Sequence, residues 1–216
     1  MRGPDFSAAR AEMVERQLRR RGIEDERVLE AMGRVPREAF VPARRRHRAY
    51  ADSALPIAAG QTISQPWVVA AICQALELRG DERVLEVGTG SGYSTAVLAL
   101  LAAEVIGIER HEELASGAAA TLTGLGFANV RVLVGDGSRG LPEEAPFAAI
   151  AVHASAPAPP PALIAQLADG GRMVVPIAAE QSDDLTLLRR DGERLVRELI
   201  APCRFVPLIG EEGFGE

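Results

Sequence analysis

The stretch Arg83-Val84-Leu85-Glu86-Val87-Gly88-Thr89-Gly90-Ser91-Gly92 constrains this chain more than any other. A short apolar run enters a turn with glycine at alternate positions, and a helical pattern follows over 94–103. Strand, glycine turn and helix open a βαβ unit. The rhythm then repeats. A strand over 105–108 ends at Glu109, a helix covers 112–125, and a strand over 130–134 ends at Gly135-Asp136-Gly137. Further strands are expected over 148–152 and 173–176, with a helix over 161–167 between them. Asp191-Gly192 separates apolar runs at 185–189 and 194–199, which reads as a closing hairpin. Short apolar strands alternating with helices predict an α/β fold whose doubly wound, mostly parallel, Rossmann-like sheet is covered on both faces.

The first third of the chain is different. Helical spacing covers 7–20 and 25–32, stopped by Gly22 and by Gly33 with Pro36, and a helix is expected over 67–78. Between them, 35–63 is irregular and broken by Pro36, Pro42, Pro56 and Gly60. Its apolar content points to an ordered, functional segment. The expected organisation is one domain over 1–216, with a helical and loop cap over 1–66 and an α/β core over 67–216.

Composition narrows the function classes. A chain of 216 residues that is 47% hydrophobic can fold around one core without staples. Cys73 and Cys203 are far apart and fit no ligand spacing, so both read as buried small hydrophobes and no metal is expected. The charged start lacks the apolar run of a signal peptide, and no stretch is long enough to span a membrane. The expectation is a cytoplasmic monomer with no membrane partner. A net charge of −6 argues against nucleic acid as a partner. The run Arg44-Arg45-Arg46-His47-Arg48 has no interleaved aromatics and reads as solvated.

Ligands of open α/β sheets sit beyond the carboxyl ends of the strands, near the point where strand order reverses. Gly88, Gly90 and Gly92 let the backbone turn tightly against a ligand, with Thr89 and Ser91 between them. Glu109, at the next strand end, can accept both hydroxyls of a ribose. Asp136, beside Gly137, can accept from an exocyclic adenine amine. Dinucleotide sites use G-x-G-x-x-G, but here the third glycine comes one residue early. Glu86 just before the turn would repel a pyrophosphate and suits the ammonium of a methionine moiety. The pattern favours S-adenosylmethionine over NAD, and the fold type is then that of class I methyltransferases. A NAD-linked oxidoreductase and a non-catalytic adenosyl-binding module remain as alternatives.

The irregular segment ends in Leu55-Pro56-Ile57-Ala58-Ala59-Gly60-Gln61-Thr62-Ile63-Ser64-Gln65-Pro66, a loop with two hydroxyls before a helix. Taken alone, Ser64 is as well explained as a helix N-cap. With Arg21-Gly22-Ile23, Val35-Pro36-Arg37, Phe40-Val41-Pro42, Tyr50 and Asp52, Gly170-Gly171-Arg172 and Arg204-Phe205-Val206-Pro207-Leu208, the chain resembles the protein-L-isoaspartate O-methyltransferase family. The resemblance implies transfer of a methyl group from S-adenosylmethionine to the free α-carboxylate of isoaspartyl residues in damaged proteins. It places Ser64 at the transfer site and Thr62 and Ile63 against the cofactor. It gives Ile57, Gln61, Val206, Pro207 and Leu208 to the peptide groove. A methyltransferase for another peptide Asp is the nearest alternative.

Two positions depart from the family pattern. Ala58 stands where glycine is usual, which strains the backbone if φ is positive there. His153 stands where Thr or Gly is expected and is read as a satisfied strand-end residue or a substrate contact; His47 and His111 read as surface residues. Asn129 is the only asparagine, while Asp136, Asp169 and Asp191 each precede glycine and are the expected weak points for isoaspartate formation.

Overall fold

The protein was analysed as a computed structural model, which describes residues 5–215. Residues 1–4 of the expected cap and residue 216 of the expected core lie outside the described residues.

The cap begins with α1 (Ser7–Glu12), which widens over Met13–Leu18 and tightens over Arg19–Arg21 before Gly22 reverses the chain at φ 87°. One regular helix was expected here. The wider turn aligns Met13 and Leu18, five residues apart and both fully buried, on one face. Asp25 caps α2 (Glu26–Arg34), accepting from the backbone N–H groups of Arg27 and Val28 at 2.8 and 3.3 Å. Gly33 does not stop this helix. It ends at Val35, whose extended backbone is what the following proline requires. Gln74 ties the cap to the core, accepting from the N–H groups of Glu24 and Asp25 and donating to the Gly22 carbonyl.

The irregular segment contains tight turns over Arg37–Phe40 and Ala43–Arg48 and a short antiparallel ladder. The ladder pairs β1 (Leu55–Pro56) with β2 (Thr62–Ile63). Ala58 is not in the left-handed region; Ala59 is, at φ 52°, followed by Gly60 at φ 68°. The strain expected at Ala58 therefore falls one residue later and costs about 1–2 kcal/mol. α3 (Pro66–Leu76) starts with proline at its first turn, and its N-cap is Gln65, with no side-chain cap. Ser64 does not cap the helix.

The core continues through β3 (Arg83–Val87), α4 (Tyr93–Ala99), β4 (Glu104–Glu109), α5 (Glu112–Gly124) and β5 (Val130–Val134). It ends with β6 (Phe147–Val152), α6 (Pro161–Ala165), β7 (Leu167–Ala178), β8 (Asp183–Asp191) and β9 (Arg194–Cys203). The seven-stranded order is β5-β4-β3-β6-β7-β8-β9. The first five are mutually parallel, and β8 runs antiparallel to both of its neighbours. The mostly parallel sheet and the closing hairpin are as expected, though β7, β8 and β9 are longer than their apolar stretches indicated. Strand order reverses beside β3, so a crevice opens there at the carboxyl ends.

Side chains alternate between two apolar layers. Val84, Val105, Ala149, Ala151 and Val174 pack with α3, α4 and the cap, whereas Leu85, Val87, Ile106, Ile150 and Val152 pack with α6. Cap residues Met13, Met32 and Phe40 thus share a layer with the sheet. Cys73 is buried as expected, but Cys203 is only half-buried. Among the described residues, no helix is long and apolar enough to cross a membrane.

Candidate active site

A cleft of about 530 Å³ opens at the carboxyl ends of β3, β4 and β6. The glycine turn forms its floor, with Gly88, Gly90 and Gly92 at φ 83°, 57° and 89°. Only glycine adopts three such angles within five residues without strain. Gly88 and Gly90 face the cleft together with Gln61, Thr62 and Gly137. Gly92 faces away, and a Cβ there would stand 3.2 Å from Ala118 and Leu122 of α5. It serves packing between helices.

Glu109 is 5% exposed and lines the cleft. Its Oε2 accepts from the Gly90 N–H at 2.9 Å and its Oε1 from the His111 N–H at 2.9 Å. Each oxygen keeps lone-pair capacity for a ligand hydroxyl. His111, read from sequence as a surface residue, is part of the cleft wall. Its position two residues past a strand end was the signal available for it.

One acidic residue sits differently from the sequence reading, and a second is held by its own loop and the chain's tail. Glu86 is fully buried and lines no cavity described for this site. It shares its face of β3 with Val84, so it points under α4, where Ser94 Oγ and Thr95 Oγ1 each donate to it at 2.5 Å. His153 Nε2 lies 3.3 Å from Glu86 Oε1. Asp136 accepts from Ser138 N, Ser138 Oγ and Glu211 N, and Gly210 passes so close that a Cβ there would collide with Asp136 Oδ1. Burial alone would raise the Asp136 pKa, but the Glu211 and Ser138 donors outweigh it and hold the carboxyl below its ordinary range.

Beside the cleft lie an inner pocket of about 320 Å³ and an outer groove of about 810 Å³. Thr62 and His153 line all three spaces, and Ser64 lines the pocket and the groove. Ile63, Thr89 and Ser91 belong to the inner pocket. Ile57 packs over the turn, its Cδ1 3.7 Å from where Gly90 would carry a Cβ. Val206 lines cleft and groove alike, while Pro207 and Leu208 line the cleft. This tail is not a regular strand: Ser155 N donates to the Val206 carbonyl at 2.8 Å and Leu208 N to the Ser155 carbonyl at 2.7 Å.

The loop carrying Ser64 is fixed from beneath by a residue whose role the sequence did not signal. Arg37 is fully buried and donates from Nε to the Ala49 carbonyl and from Nη2 to the Ser64 carbonyl, both at 2.7 Å. Its guanidinium lies 4.6 Å from the centre of the Tyr93 ring. Burial pulls its pKa down from the ordinary arginine value, yet a guanidinium stays charged at neutral pH. On the outer side, Gln65 Nε2 donates to Asp52 Oδ1 at 2.7 Å, and Arg21 bonds both oxygens of Asp52. Cys203 lines the groove, but burial and then Asp183 push its thiol to about 12, so it stays protonated.

The comparisons with known proteins agree with this geometry. The family model described as Protein-L-isoaspartate(D-aspartate) O-methyltransferase (PCMT) matches residues 8–213. A protein-L-isoaspartate O-methyltransferase of Koribacter versatilis is 52% identical over 209 residues, covering 97% of this chain and 94% of its own length. A Rhodopseudomonas palustris relative of the same name is 56% identical, covering 97% and 86%. A solved protein-L-isoaspartate O-methyltransferase superposes with a TM-score of 0.83 at 28% identity, over 94% of this chain and 66% of that longer one. A Plasmodium falciparum structure assigned to the same activity, solved in complex with S-adenosyl-L-homocysteine, gives 0.80 at 26% identity over 93% and 98%. The chain belongs to the protein-L-isoaspartate O-methyltransferase family.

Proposed function

We propose that Ser64 holds the α-carboxylate of an isoaspartyl residue, delivered through the outer groove, against a methyl donor bound along the glycine turn. The protein is an S-adenosylmethionine-dependent protein-L-isoaspartate O-methyltransferase. The observation that carries the residue assignment is the meeting of cleft, pocket and groove at Thr62 and His153, with Ser64 lining pocket and groove beside them.

The residues present fit the cofactor. Glu109 offers two oxygens for ribose hydroxyls, Gly88 and Gly90 leave room for close approach, and Thr89 Oγ1 is a buried hydroxyl without a protein partner. Asp136 and Gly137 border the adenine end, and Glu86 acts from behind the wall. When bound, S-adenosylmethionine supplies a methyl group on a sulfonium. The protein's task is then positional. A carboxylate has an ordinary pKa near ~4 and needs no general base at pH 7, but it is tightly hydrated. The loop must strip that water, bond one oxygen through Ser64 and aim the other at the methyl. Val206 lines cleft and groove alike and confines the flanking peptide, whereas Gln61, Pro207 and Leu208 wall the donor cleft and Ile57 packs over the glycine turn. The ester so formed closes to a succinimide more readily than the acid, because methoxide leaves more easily than hydroxide.

In the same proposal the protein acts as a cytoplasmic monomer and a single domain, with no nucleic-acid or membrane partner. Cap and sheet share an apolar layer, which supports the single-domain reading.

The test pairs two peptides that differ only in Asp or isoaspartate at one position, with labelled S-adenosylmethionine. Label is expected on the isoaspartyl peptide alone; equal labelling of both would overturn the substrate reading.

The chain's own Asp-Gly pairs should age unequally. Asp136 is held ionised by its donors, and Asp169 Oδ1 accepts from Gly170 N and Gly192 N at 3.1 and 2.7 Å. Asp191 sits exposed at the β8–β9 turn, where Gly192 has φ 58°. Peptide mapping after storage at neutral pH should find isoaspartate first at Asp191, then at Asp169, and none at Asp136.

A further inference from the structure

We propose that His153 is a proton-sensitive positioning residue, whose protonation weakens binding of the sulfonium cofactor. The inference rests on the cofactor site assigned above and extends it to the imidazole that lines all three spaces.

Glu86 is a fully buried carboxylate whose partners are two hydroxyls, Ser94 and Thr95. Among the described residues, the one ionisable cation within 4 Å of it is His153, at 3.3 Å. The His153 side chain is 6% exposed, and its Nε2 is buried without a hydrogen-bond partner. A proton on the ring would put a positive charge 3.3 Å from the Glu86 carboxylate. The imidazole also stands between Glu86 and the site, since it lines cleft, pocket and groove while Glu86 lines none of them.

The buried negative charge can therefore be balanced in two ways. An imidazolium balances it from within the wall, or the positive charge of a bound sulfonium balances it from the cleft. The two cations compete, so proton binding and cofactor binding oppose one another, and the coupling is reciprocal.

Other charges face His153 from each surrounding element. Glu109, Arg110 and His111 line the cleft with it, Arg21 and Arg204 line the groove, and Arg37 holds Ser64 from below. Of these, only His111 is a second imidazole, and it provides the control.

The experiment is titration calorimetry of S-adenosylmethionine and of S-adenosylhomocysteine from about pH 5.5 to about pH 8.5. The two ligands share the ribose, adenine and amino-acid groups, so their affinity ratio isolates the sulfonium charge. For the unmodified protein, binding of S-adenosylmethionine relative to S-adenosylhomocysteine should weaken about ten-fold from the top to the bottom of that range. His111→Gln should keep this slope. His153→Thr and His153→Gln should both give a flat ratio. A flat ratio in the unmodified protein, or a slope that survives in either His153 variant, overturns the proposal. If the unmodified protein binds neither ligand at any pH, the cofactor site itself falls, which is a distinguishable result.

Discussion

Ser64→Ala is expected to lower kcat/KM for an isoaspartyl peptide by about 10²-fold and to leave S-adenosylmethionine affinity within about two-fold. The magnitude follows from what the hydroxyl can do. A carboxylate loses negative charge as it becomes an ester, so a donor on its second oxygen is bonded more strongly before transfer than during it. In the proposed role, Ser64 is therefore no oxyanion stabiliser but the group that fixes one oxygen so that the other lies in line with the methyl. Misplacement of about 1 Å at such a centre costs about that factor. The hydroxyl makes no bond to the described protein, and the loop is held through its backbone, so thermal stability should stay within ~0.5 kcal/mol. Steady-state kinetics and a melting curve check both halves. A loss below about five-fold would remove Ser64 from the role assigned to it.

Arg37→Lys is expected to be the more damaging change to the fold, despite keeping the charge. The guanidinium spans two segments, with one nitrogen on the Ala49 carbonyl and another on the Ser64 carbonyl. An ammonium is a point donor and cannot reproduce that fork. One buried carbonyl is left unpaired, which costs about 1–3 kcal/mol, and the guanidinium's contact with the Tyr93 ring is lost as well. A total near 3 kcal/mol should lower Tm by about 6–12 °C for a chain of this size. Methyl transfer should fall with it, because the loop carrying Ser64 loses its anchor. Calorimetric melting decides the matter: a variant within ~0.5 kcal/mol of the parent would mean that Ser64 is positioned by something else.

The two residues also show where a sequence stops being readable. The glycine turn, Glu109 and the β8–β9 turn depend on neighbours within a few positions, so local pattern located them. Glu86 was placed by its neighbourhood to the turn, when strand parity was the better guide: it alternates with Leu85 and Val87 and must share the face of Val84. The cap was less legible, because its tight turns and the wide turn over Met13–Leu18 are set by what they pack against. Arg37 belonged to one of the pieces that carried the family resemblance, but its role gave no signal. Its function exists only once residues 37, 49 and 64 meet, and nothing in the spacing of the three announces it.

The supports of this site share one trait: they grip main chain. Arg37 holds the carbonyls of 49 and 64, Glu109 takes the amides of 90 and 111, and Asp136 takes those of 138 and 211. A clamp on the backbone is blind to the side chain it passes. The gripped positions are therefore free to drift over evolutionary time, so long as the grippers stay. A lineage could rewrite the amino acids around Ser64 while Ser64 itself hardly moves.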